Sequence, residues 1–118
     1  MYIKLLKSEF EDIIDSLDSA RGYCLYIGEK HTEKIIEDLK IRIRNQEDKA
    51  KINMSNEDYG FILAALLLEE GYYQFSLKRR YGRYAETRKR ALIHLIEKFK
   101  REKYRQLEEK LKWDSRKK

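Results

Sequence analysis

Apolar residues recur along most of this chain at the three-to-four spacing of helices that face a core. After "SEFE", where Ser8 and Glu11 have the spacing of a capping box, Phe10, Ile13, Ile14 and Leu17 mark one helical face. Asp12 and Asp15 suit the positive end of that helix dipole, and Gly22 is a plausible stop. "YCLYI" beyond it either prolongs the helix or forms a strand, and "MYIKLL" before it is a frayed lead-in or a brief strand. Thr32 is the candidate N-cap of a second helix, with Ile35, Ile36, Leu39 and Ile43 on its inner face. Ser55 opens a third, with Glu57 and Asp58 in its first turn and Tyr59, Ile62, Leu63, Leu66 and Leu67 as packing positions. Ala64, Ala65 and Leu68 fill its other sides, which makes it the expected central helix, buried nearly all round. From Tyr84 to Trp113 the pattern is again helical and densely charged.

Residues 39–54, "LKIRIRNQEDKAKINM", fit two periods. As strands, Leu39, Ile41 and Ile43 alternate against Ala50, Ile52 and Met54, but the intervening "NQED" lacks the glycine of tight hairpins. As helix, the segment gains a Glu47–Lys51 pair and keeps an apolar stripe through Ala50, and this is the reading we favour. Gly60, Gly71 and Gly82 fall eleven residues apart, on nearly one helical face, a spacing we treat as coincidence. One helix from 55 to 113 is too long for a small domain, so a break is expected at Gly71 or Gly82. The predicted fold is all-α: a small bundle of three to four helices with a long charged C-terminal helix. The alternative is α+β with a short β-hairpin at about 39–54. Residues 1–113 form one helical domain, and 114–118 form a disordered basic tail.

Composition supports the helical reading. The 118 residues contain no proline and five glycines, fewer than sheet-rich folds spend on turns. A single Cys24 excludes an internal disulfide framework and a cysteine-rich zinc site, and with no secretory segment it predicts a cytoplasmic protein. The longest apolar run, "GFILAALLL", is too short to span a bilayer, so no membrane insertion is expected. The tail "KREKYRQLEEKLKW" has too thin an apolar face to favour lying on an anionic membrane.

Charge changes the picture more. Residues 1–59 hold ten basic and thirteen acidic side chains, a net −3, whereas residues 78–118 hold seventeen and six, a net +11. Such a basic end attracts polyanions, unless the acidic half lies against it. Its densest stretch is "KRRYGRYAETRKR", residues 78–90. On a helical wheel with Leu77 at zero, Tyr81, Tyr84, Ala91, Leu92, Leu95 and Phe99 form one apolar seam. Arg79, Arg83, Arg90 and Arg101 align opposite it at about 200–240°, and Lys78, Lys89 and Lys100 form a second row at about 100–140°. Glu86 and Glu97 lie on the arginine ridge and suit i,i+4 pairs with Arg90 and Arg101. Arg88 falls at about 20°, inside the seam. A buried guanidinium requires an acid, such as Asp15, Asp18 or Glu37, or else faces a pocket or a subunit interface.

Catalysis is not expected. His31 and His94 stand apart, without the spacing of a helical metal site, and neither metal nor cofactor is predicted. Cys24 reads as a small buried hydrophobe, and "GEKHT" lacks the glycine spacing of a phosphate loop. The first functional expectation is a small accessory or regulatory protein that binds nucleic acid with weak sequence preference. Lys78, Arg79, Arg80, Arg83, Lys89, Arg90 and Arg101 would hold its phosphates. The alternative is a protein-binding inhibitor or adaptor, or a homodimer, that recognises an acidic protein surface or its own copy. Tyr72, Tyr73, Phe75, Tyr81, Tyr84 and Arg88 would form that interface.

Overall fold

The chain turns back on itself through helices whose ends are set by local hydrogen bonds. In the computed structural model, which describes residues 1–73 and 83–116 and only the backbone of Arg83, α1 runs Lys7–Tyr26. It begins one residue before the expected Ser8 cap. Leu6 is the N-cap, and the Glu9 carboxylate accepts its backbone N–H at 2.9 Å, so Glu9 and not Glu11 closes the first turn. Gly22 is no stop, and "YCLYI" prolongs the helix. The stop is Gly28, whose φ of 80° places it in the left-handed region that glycine adopts without strain. Its N–H donates to Leu25 O at 3.2 Å and the Glu29 N–H donates to Cys24 O at 2.8 Å, the paired bonds of a Schellman motif.

Helix α2, Lys30–Arg44, starts two residues before Thr32 and buries Ile36, Leu39 and Ile43. It stops short of Ala50, so the expected helix through 39–54 is corrected. No hairpin forms there either. Ile52–Asn53 is a short strand, β2, and its antiparallel partner is β1, Tyr2–Ile3, with Tyr2 opposite Asn53 and Ile3 opposite Ile52. Burial decides this. Ile36, Leu39 and Ile43 reach the core only from a helix, whereas Ile3, Ile52 and Met54 bury beneath the strand pair. On the outer edge of β2 the Gln46 side-chain amide both donates to Asn53 O at 3.0 Å and accepts from Asn53 N at 2.8 Å. A side chain thereby satisfies a sheet edge.

Helix α3, Asn56–Tyr72, starts as predicted, with Ser55 Oγ accepting the Asp58 N–H at 3.0 Å. It is not buried all round: Leu67 and Leu68 are exposed. The central element is α1, which packs against α2, α3 and the last helix. That last helix, α4, Arg83–Arg116, is about 51 Å long in a molecule of 56 × 31 × 27 Å. It buries Ala85, Leu92, Leu95, Ile96 and Phe99 and continues through Asp114 to Arg116. A Cβ at Gly60 or Gly71 would meet nothing within 4 Å, so neither marks a close helix contact. Gly82 lies outside the described residues. The fold is an all-α bundle of four helices, among the described residues, with one two-stranded antiparallel pair. No helix there is long and apolar enough to cross a membrane.

Candidate nucleic-acid interface

Between Arg88 and Lys103 the cations of α4 fall into three groups. Arg88 belongs to the interior, its side chain only 10% exposed. It bonds to the Asp12 carboxylate of α1, and its Nη2 donates to the Glu69 carboxylate of α3 at 2.9 and 3.2 Å. Ser16 Oγ donates to the same Glu69 at 2.6 Å. The partners within the chain are therefore Asp12 and Glu69, not Asp15, Asp18 or Glu37. Burial opposes the Arg88 charge, but the two carboxylates outweigh it and raise its affinity for the proton. Burial, with the nearby Asp15 and Glu9 charges, raises the Asp12 carboxyl despite the pull of Arg88.

Lys98 and Lys103 form the second group, anchors to the rest of the fold. Lys98 Nζ lies 2.6 Å from Glu9 Oε1. Burial raises the Glu9 carboxyl, yet the bonds from Lys98 and the Leu6 N–H hold it below its usual value. Lys103 bonds to Asn56 Oδ1 and lies 5.3 Å from the centre of the Tyr59 ring. Gln106 Nε2, on the same side of the helix, donates to Tyr2 O at 2.9 Å.

The third group faces solvent. Lys89 is half-buried, and Arg90, Lys100 and Arg101 are exposed. None of these four makes an ion pair among the described residues, and the expected Glu86–Arg90 and Glu97–Arg101 pairs do not form. Arg90 and Arg101 stand eleven residues apart, about 16 Å along one face, with exposed His94 and Glu97 between them. Lys78, Arg79 and Arg80 lie outside the described residues, as does the Arg83 side chain. Among the described residues, the ion pairs from α4 to the acidic half are those of Arg88 with Asp12 and Lys98 with Glu9, so the acidic half does not neutralise Lys89, Arg90, Lys100 or Arg101 there.

The tyrosines behave differently from the expected seam. Tyr84 is 63% exposed, and at the first turn of α4 its ring meets Tyr73 edge-on with ring centres 6.4 Å apart. Ala85 turns inward instead. Tyr72 is exposed and meets Tyr73 edge-on at 6.2 Å. Phe75 and Tyr81 lie outside the described residues. Beside Tyr72 a cleft of about 350 Å³ opens between α1 and α3, walled by Ala20, Tyr23, Leu68 and Tyr73. Sequence reasoning missed a second cleft, of about 370 Å³, lined by Tyr2, Ile3, Lys4, Leu6, Lys51, Lys98 and Glu102. No sequence pattern signals it, since its lysines come from three distant segments.

The remaining chemistry is sparse. Cys24 is buried, and that burial, with Glu29 and Glu33 nearby, pushes its thiol up and away from the reactive thiolate. Among the described residues no three His, Cys, Asp or Glu side chains gather closely enough to hold a metal ion. His31 and His94 are both exposed. No protein-family model, curated protein or solved structure matches this chain.

Proposed function

We propose that the protein binds nucleic acid through the outer face of α4, by phosphate contacts of low sequence specificity. The carrying observation is that Arg90 and Arg101 are exposed and make no ion pair among the described residues, while Arg88 and Lys98, which point inward, are paired with carboxylates. An arginine already held by a carboxylate must break that bond to grip a phosphate. A free one offers its planar fork at once. Lys89 and Lys100 flank the ridge, and the net +11 of residues 78–118 attracts the polyanion from a distance. Fluorescence anisotropy with a labelled oligonucleotide over a salt series tests the reading. The expected affinity is micromolar at physiological salt, on the order of 1–100 μM, and falls steeply as salt rises. Arg90→Glu/Arg101→Glu should lose at least about tenfold while keeping the melting temperature. No binding at low salt, or binding indifferent to salt, sinks it.

A protein-binding role is favoured by a different observation, the exposed Tyr23, Leu68 and Tyr72 around the cleft between α1 and α3. Self-association is its simplest form. Sedimentation of the wild type beside Leu68→Ser/Tyr72→Ser separates the two readings, since a dimer lost in this variant, with nucleic-acid affinity unchanged, belongs to the second surface.

A further inference from the structure

The cleft beside the strand pair adjoins the arginine ridge. Lys98, which lines it, precedes Arg101 by three residues and follows His94 by four, so all three are neighbours on the surface of α4. Across the cleft stand Lys4, just after β1, and Lys51, just before β2. Both ammonium groups are exposed, and neither makes an ion pair among the described residues. The acid lining the cleft among the described residues, Glu102, accepts bonds from Arg105 and Gln106, and the lining Lys98 is paired with Glu9. The Glu102 carboxyl is held below its usual range chiefly by Arg105, with Lys51 adding to the effect. Lys4 and Lys51 are the lining cations without an ion pair among the described residues. At the lip the Tyr2 ring is 59% exposed, while its backbone is fixed by pairing with Asn53 and by the bond from Gln106. An exposed aromatic ring on a hydrogen-bonded backbone, beside two exposed lysines, matches the chemistry of an unpaired nucleotide, whose phosphate takes the cations and whose base takes the ring.

We infer that the cleft formed by Lys4, Lys51 and Tyr2 is a second contact site, which receives a nucleotide of a single strand running off the Arg90–Arg101 ridge. This rests on the nucleic-acid reading above and narrows it from nucleic acid in general to single strands. In a duplex the base faces are stacked within the helix and cannot reach the Tyr2 ring.

The test is anisotropy with a labelled oligothymidylate and with a duplex of equal length, using the full chain. Lys4→Gln/Lys51→Gln should lower the slope of log affinity against log salt for the single strand by about 1.4, the loss of two phosphate contacts. Tyr2→Leu should weaken the single strand on the order of tenfold and leave the duplex unchanged, while Tyr2→Phe keeps wild-type affinity. All of these side chains are exposed, and unchanged circular-dichroism melts confirm the fold. Suppose the lysine and Tyr2→Leu variants match wild type while Arg90→Glu/Arg101→Glu loses binding. The cleft then lies off the path and this inference falls, with the ridge intact. Equal weakening of duplex and single strand by Tyr2→Leu also overturns it. A wild type that binds neither probe at low salt removes the ridge and the cleft together.

Discussion

The two halves of α4 both carry many charges and differ in what stands opposite them. From Ala85 to Phe99 the helix lies against α1 and α3, and its inward positions are Ala85, Leu92, Leu95, Ile96 and Phe99. Its charges there reach far along the chain: Arg88 to Asp12, Lys98 to Glu9. From Lys100 to Arg116 the helix gradually leaves the body. Its ion pairs become local, Arg105 with Glu102 and Glu109, and Lys112 with Glu108, while Tyr104, Leu107, Leu111 and Trp113 are exposed. A charged helix residue is therefore structural or solvated according to its surroundings, not its type. In the first half desolvation makes every ionic partner matter. In the second, water screens the same pairs to small values.

The largest expected effect is at Arg88. Arg88→Met removes the guanidinium that bonds Asp12 and Glu69 and leaves both carboxylates without it. A loss of about 3–5 kcal/mol in unfolding free energy is expected, read from urea melts. Arg88→Lys should recover only part of it, because one ammonium cannot reproduce the fork that spans α1 and α3. A loss below about 1 kcal/mol would mean that the interior half of α4 is no more demanding than the outer half, and the contrast between them would fail.

Next comes Ser16, which holds Glu69 from the α1 side. Ser16→Ala deletes a buried bond to a charged group and should cost about 1.5–3 kcal/mol. Combined with Arg88→Met the losses should not add, since both act on one carboxylate; a double-mutant cycle measures the coupling.

Smaller again is the pH dependence at Glu9. Its carboxyl is held below the ordinary value, so on acidification the unfolded chain takes up the proton first. The stability it supplies is present above about pH 4.3 and is lost as pH falls through the folded value. Glu9→Gln should flatten the acid limb of the stability curve between about pH 3 and 6. Asp12 acts in the opposite sense. Its carboxyl is raised, so its contribution is full below the ordinary aspartate value and declines as pH rises through the folded one. Asp12→Asn should therefore steepen the net acid loss where Glu9→Gln relieves it. Melts across that range distinguish the two.

What the sequence made legible follows the same division between local and distant. The Ser55 cap and the seam through Leu92, Leu95 and Phe99 were readable, because capping and period act within a few residues. Arg88 was readable as an anomaly, since one wheel places it among leucines. Its partners were not, because Asp12 lies 76 residues away and the pairing depends on how α1 crosses α4. The β1–β2 pair was hidden for the same reason, with Met54 N–H donating to Met1 O at 2.8 Å across a sequence separation of 53 residues. Tyr84 shows the limit of a wheel. Its angle was that of the seam, but an angle does not say where the opposing helices end. The cleft of Lys4, Lys51 and Lys98 had no sequence signature, because three separate segments must fold before the lysines meet.

The smallest expected effect tests the outer half directly. Lys112 Nζ lies 3.7 Å from Glu108 Oε1, one turn earlier on the same helix, and both side chains are more than two-thirds exposed. An i,i+4 pair in this setting stabilises an isolated helix by about 0.2–0.5 kcal/mol, less in salt. Lys112→Ala should therefore shift the urea midpoint by no more than about 0.5 kcal/mol equivalent, and alanine's higher helix propensity offsets part of that. The local pair also predicts that about 1 M salt erases the difference between wild type and variant, while the loss in Arg88→Met persists, because its partners are desolvated. If Lys112→Ala instead cost more than about 1 kcal/mol and resisted salt, the end of α4 would have to pack against another surface. The division of the helix into a buried half and a solvated half would then have to be redrawn at Arg116 instead of Phe99.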